Sequence, residues 1–203
     1  MARAGLTRDG VVDAAIALAD DVGLDHLTLA ALAERVGVKQ PSLYKHIDSL
    51  AGLHRSIRLS AKRQLGDVLL RAAVGRSHDA AIMAMAHAYR NWAVHYPARY
   101  QAAQTAAAVD DVEDATVSLQ AIQIIADVLA GYALTGDDAI DAIRGLRATL
   151  HGFVSLETTG GFALKANVDR SFERLVHGFA VSLLRWTETS ADTTTDRREK
   201  STA

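Results

Sequence analysis

Thr28-Leu-Ala-Ala-Leu-Ala-Glu-Arg-Val-Gly37-Val-Lys-Gln-Pro-Ser-Leu-Tyr-Lys-His-Ile47 is the stretch that decides the fold. Thr28 offers a hydroxyl to cap a short helix over Leu29 to Val36. Gly37 then supplies a left-handed residue, at a point where a Cβ would cost about a kilocalorie per mole or more. A further helix is predicted from Gln40 to Ile47, with Pro41 in its first turn, where the missing N–H breaks no internal bond. Leu32, Ala33, Val36, Val38 and Leu43 are spaced as two helices crossing over a tight turn would bury them, and Ala33 is small enough for close approach. Lys39, Gln40, Ser42, Tyr44 and Lys45 point away from that core, a set of donors without a carboxylate. A helix N-terminus entering the major groove brings such groups to base edges: Gln pairs bidentately with adenine, Ser bonds several bases, and Lys reaches guanine or a phosphate. Tyr44 and His46 donate to phosphate oxygens in this reading, although Tyr44 serves equally well as a packing residue. A helical hairpin in an interaction module that binds no DNA shares the spacing but has no use for a donor-only surface.

Around this core the same rules extend the helices. Thr7 caps a first helix whose residues Val11, Val12, Ala15, Ile16 and Ala19 share one face, ending near Gly23. Asp48 and Ser49 introduce a long fourth helix to about Val74, which Gly75 breaks. Apolar spacings of three and four predict helices over 78–95, 98–107, 110–134, 137–157 and 168–186, with a loop at Gly160-Gly161. The expectation is an all-α protein of about nine helices: a three-helix domain over 1–48, a helical bundle over 49–188, and a tail over 189–203 too poor in apolar surface to order.

The net charge of −2 conceals an uneven distribution. From Glu34 to Arg63 the cations Arg35, Lys39, Lys45, Arg55, Arg58, Lys62 and Arg63 face only Glu34 and Asp48, an excess of +5. A polyanion responds to the charge within a Debye length, ~8 Å at physiological salt, so a local excess is enough to hold phosphates. Arg35 reads either as half of an exposed pair or as a phosphate clamp. The absence of cysteine excludes disulfides and thiolate metal sites. No apolar run reaches the ~20 residues of a membrane span, and Asp9, Asp13, Asp20 and Asp21 interrupt any signal-peptide core, so a cytoplasmic chain with no membrane partner is expected. Neither His-Glu-x-x-His, Glu-x-x-His, Gly-x-Ser-x-Gly nor a glycine-rich phosphate loop occurs, which argues against an enzyme, a metal site or a cofactor.

Beyond residue 75 the aromatic and sulfur side chains Met83, Met85, Tyr89, Trp92, Tyr96 and Tyr100 cluster with His87, His95 and His151. They pack a core or line a mostly apolar cavity, with Tyr89, Trp92 and His151 as candidate contacts to a small hydrophobic or aromatic molecule. Two apolar stripes, one with Leu150 and Phe153 and the other with Phe172, Val176, Phe179 and Leu183, look wider than one core needs. Paired across a two-fold axis they make a homodimer interface; otherwise they face their own subunit.

The run from Gly37 to Ile47 resembles the recognition region of the TetR family, and Thr28-Leu29 before Ala-Leu-Ala-Glu-Arg is similar to the family's second-helix entry. The likeness covers roughly the first 55 residues. It implies a two-fold dimer on a palindromic double-stranded DNA operator, repression as the usual sense, release by a small-molecule effector, and DNA contacts from Thr28, Lys39, Gln40, Pro41, Ser42, Tyr44, Lys45 and His46. Trp92, followed by His95-Tyr96-Pro97, and His151-Gly152 are similar to the Trp-His-Gly type of TetR C-terminal domain. Two departures stand out: Lys39 replaces a capping residue, and Leu50 replaces a lysine that contacts phosphate in relatives. Backbone affinity is therefore expected to lean on Lys45, Arg55 or the Thr28 hydroxyl.

Overall fold

The computed structural model describes residues 6–200, with side chains as far as Trp186. Among the described residues there are nine α-helices and no strands: α1 (Arg8–Val22), α2 (Leu29–Val36), α3 (Gln40–Leu43), α4 (Leu50–Ala73), α5 (His78–His95), α6 (Pro97–Gln104), α7 (Val112–Leu129), α8 (Gly136–Thr158) and α9 (Val168–Lys200). Short 3-10 turns follow α1 (Leu24–His26) and α7 (Ala130–Tyr132). The chain forms two compact units, one of residues up to 65 together with 92–119, the other of 66–91 together with residues from 120 onward. This division does not coincide with the boundary expected at residue 48.

In the first unit the local capping rules hold. The Thr7 hydroxyl accepts the Gly10 N–H at 3.1 Å, and α1 stops at Gly23, whose φ of 91° few side chains tolerate. Helix α1 packs on α2 and α6 and buries Val11, Ala15, Ile16, Leu18 and Ala19. Each buried Leu or Ile contributes about 1.5–3 kcal/mol relative to an exposed one. Arg99 of α6 adds a polar tie: it donates to Asp20 of α1 at 2.8 Å and to Gln64 at 2.9 Å, and lies 4.3 Å from the Tyr96 ring centre.

In the second unit α8 packs on α9, and Leu146, Leu150, Phe153, Val154, Phe172, Val176, Ala180 and Leu183 are buried in the single chain. Arg90 stands over the Phe172 and Phe153 rings at 5.0 and 5.6 Å and is held by Glu157 and by Asp169 at 2.8 Å. Five of the six residues expected at a two-fold interface, Leu150, Phe153, Phe172, Val176 and Leu183, are therefore protomer core, and Phe179 is half-buried. Spacing marked the side that is buried; it did not say what buries it.

Helix ends differ from expectation in three places. Helix α3 stops at Leu43 rather than Ile47, because Lys45 and His46 donate to carbonyls three residues back, Ser42 and Leu43, and tighten the chain out of α-geometry. That turn lets the Ser49 hydroxyl accept the Gly52 N–H at 3.0 Å and start α4. Helix α7 ends at Leu129, where a 3-10 turn leads to Ala133 with φ 55°. Helix α9 runs to Lys200 although a tail without regular structure is expected from 189, since propagation adds one backbone bond per residue fixed; residues 201–203 of that tail lie outside the described residues. Contrary to the expectation of no such run, Val112–Tyr132 is long and apolar enough by length and composition to cross a membrane, at a mean hydropathy of 1.3. Asp114 within it is nonetheless buried in ion pairs with Arg58 and Lys62.

Candidate nucleic-acid interface

Thr28 holds an extended backbone, and its hydroxyl oxygen accepts the Ala31 N–H at 3.2 Å. The same hydroxyl retains its own hydrogen for an outside acceptor. Gly37 adopts φ 71°, ψ 36°, and the chain reverses there with the Val38 N–H donating to the Ala33 carbonyl at 3.0 Å. Helix α2 thereby packs on α3, with Leu32, Ala33, Leu43 and Ile47 buried beneath, while Val36 and Val38 are only half-buried.

This small core turns the polar residues outward together. Lys39, Gln40, Pro41, Tyr44 and Lys45 are exposed, and Ser42 and His46 are half-buried. Tyr44 is 53% exposed, so about half of its side chain is open to a partner. Among the described residues no carboxylate pairs with Lys39 or Lys45. Leu50 is exposed at the start of α4 and offers no donor from its side chain.

The rest of the basic segment is neutralised within the first unit. Arg35 pairs with Asp21 at 2.6 Å across the surface. Arg55 takes Asp111 with both Nε and Nη2 at 2.6 Å and Glu113 at 2.9 Å; Arg63 takes Glu113 at 2.7 Å. Fully buried Asp114 accepts from Lys62 at 2.6 Å and Arg58 at 2.5 Å. The Arg55 hydrogen bonds, aided by the Asp114 N–H, hold the Asp111 carboxyl down at about 2. Glu113 is lowered by Arg63 and Arg55, and Asp114 is lowered because Lys62 and Arg58 outweigh the burial that opposes ionisation. Arg55 is thus engaged by carboxylates and not free for phosphate, against the expectation. The stripe Arg55, Arg58, Lys62 is legible at helical spacing, but its partners lie about fifty residues away and carry no local signal.

Of the candidate ligand contacts, Tyr89 and Trp92 are buried three residues apart on α5, and His151 is exposed on α8. An open groove of about 280 Å³ lies within the second unit, where the end of α4, the start of α5 and the end of α7 meet.

A left-handed glycine reversing two short helices, with exposed donors on the second, defines a helix-turn-helix DNA-binding transcription regulator. Residues 11–54 match the family described as bacterial regulatory proteins, tetR family, and residues 82–179 match the tetracyclin repressor-like C-terminal domain. The chain is 40% identical over 158 residues to the HTH-type transcriptional regulator Rv0681 of Mycobacterium tuberculosis, covering 77% of this chain and 72% of the relative. It is 34% identical over 184 residues to the HTH-type transcriptional regulator YobS of Bacillus subtilis, covering 90% and 95%. A TetR variant from Acinetobacter baumannii, solved in complex with minocycline, shares the fold at a TM-score of 0.68 and 19% identity, over 90% of this chain and 98% of that one. The chain belongs to the TetR family of transcription regulators.

Proposed function

We propose that this chain is a ligand-responsive repressor that binds a palindromic operator as a homodimer in the cytoplasm. The observation that carries the reading is the exposed donor set Lys39, Gln40, Ser42, Tyr44 and Lys45 on the reversal fixed by Gly37. Gln40 reads adenine and Ser42 a neighbouring base edge, with Pro41 fixing the helix start. Lys45, Lys39, Tyr44, His46 and the Thr28 O–H hold phosphates and set the register. Dimerisation uses the outward apolar residues of α8 and α9, Ile140, Leu156, Leu175, Val181 and Leu184, all at least 36% exposed. Gly152 and Gly178 face open space and permit close helix approach. The tetracyclin repressor-like match over 82–179 and the minocycline complex of the Acinetobacter protein support a small-molecule effector. Such an effector releases DNA by binding one conformation of the dimer more tightly than the other.

The test is selection of bound fragments from the native genome followed by gel shift on the recovered site. A palindromic, salt-sensitive, sequence-selective complex is expected, and a small molecule recognised by a neighbouring gene product should dissolve it. Absence of selective binding would leave a helical interaction module as the better description.

A further inference from the structure

The helices that carry the DNA-facing donors, α1 to α3, are held from behind by one shared guanidinium. Arg99 of α6 donates its Nε to Asp20 Oδ2 of α1 at 2.8 Å and its Nη1 to Gln64 Oε1 of α4 at 2.9 Å, all within the first unit. Its guanidinium carbon stands 4.3 Å from the Tyr96 ring centre, a cation–π distance that fixes it further. The Gln64 amide donates to the Ser60 hydroxyl at 3.0 Å, which holds its oxygen toward Arg99. Two residues on, the Gln101 amide donates to Asp25 at 3.2 Å, in the 3-10 turn that follows α1. Apart from the short turn before Leu50, these side chains are what joins the rear of the reading head to α4 and α6.

The pairing is not the strongest that these groups can make. A guanidinium and a carboxylate favour two parallel hydrogen bonds. Asp20 receives one from Arg99, and its Oδ1 is buried and accepts from no group among the described residues. The other arm of the fork goes to Gln64 instead. An arrangement that served pair strength alone would close on Oδ1; this one forgoes that bond to join α1 to α4. The angle so fixed matters on a palindrome. Helix α1 has 15 residues, which makes it about 22 Å long. Turning a body of that length by about 9° displaces its far end by about 3.4 Å, one base-pair step.

We propose that Arg99 is a positioning residue: by bridging Asp20 and Gln64 it fixes the angle of the reading head on α4, and with it the half-site spacing that the dimer accepts. Arg99 acts through α1 and α4 and reads no base itself. The inference rests on the reading of a homodimer on a palindromic operator. Two variants of the full chain test it. Gln64→Met keeps the side-chain length and removes the acceptor, leaving Arg99 to close on both Asp20 oxygens, and it should melt with the wild type; Arg99→Gln removes both arms. Fluorescence anisotropy at one salt concentration compares the selected operator with copies whose half-sites are moved together or apart by one base pair. The wild type should lose at least about tenfold in affinity on the moved copies, since one half-site then presents mismatched bases. Both variants should lose less than about threefold on the same copies, while base substitutions inside a half-site cost them what they cost the wild type. A purely structural bridge would leave the spacing preference intact, or lower the affinity for every spacing alike. Either result in Gln64→Met would overturn the assignment and leave the dimer reading standing. A wild type indifferent to spacing would overturn the dimer reading together with it.

Discussion

The ion pairs of the first unit set how strongly salt should weaken DNA binding. If all seven cations between residues 34 and 63 met phosphates, a dimer would neutralise fourteen, and log K would fall with log salt at a slope near about −12.6. Four of them, Arg55, Arg58, Lys62 and Arg63, are instead engaged by Asp111, Glu113 and Asp114. Arg35 is tied to Asp21 only by a surface pair of about 0–1 kcal/mol, which a phosphate can displace. Lys39 and Lys45 remain, so two or three cations per protomer act and the segment's slope falls between about −3.6 and −5.4. Fluorescence anisotropy of a labelled operator across a salt series measures it. Lys45→Ala in both protomers should make the slope shallower by about 1.8 while weakening all sequences alike. A wild-type slope steeper than about −8, or one unmoved by Lys45→Ala, would refute the assignment of these charges.

Three further outcomes follow from the same geometry. Asp114→Asn leaves Lys62 buried without its counter-charge and should destabilise the fold by about 3–5 kcal/mol in urea unfolding, whereas a loss under about 1 kcal/mol would mean the pair is solvent-screened. Gly37→Ala forces a Cβ into the left-handed region at a cost of about 1 kcal/mol, seen as a drop in Tm of about 2–4 °C with operator sequence preference retained. Asp111, Glu113 and Asp114 have folded-state pKa values below their unfolded ones, so their stabilisation is complete above the ordinary carboxylate range and is lost as pH falls toward about 2. Arg55→Ala should therefore shift the acid transition, followed by circular dichroism, to higher pH; an unchanged transition would detach Asp111 from acid stability.

What was legible in the sequence was what depends on neighbours in the chain. Thr7, Thr28 and Gly37 act through backbone groups within five residues, and α1, α2 and α5 start where their capping and spacing place them. The exposed donors of α3 were legible for the same reason, as the complement of a core only a few residues away. Partners distant in sequence were not. Arg55 and Lys62 read as free cations until Asp111 and Asp114 were folded against them, and the stripe from Leu150 to Leu183 read as an interface although the protomer buries it itself. Apolar periodicity identifies the covered side of a helix, and the covering surface is decided by tertiary packing.

The central claim is that α3 reads bases, and Gln40 tests it most directly. Each base pair of the selected operator is substituted in turn, and wild-type and Gln40→Ala affinities are compared at one salt concentration. The account predicts relaxed discrimination, by about 1–3 kcal/mol, at one position in each half-site and little change elsewhere. Preference retained at every position, with affinity merely scaled, would place base recognition outside α3 and contradict it.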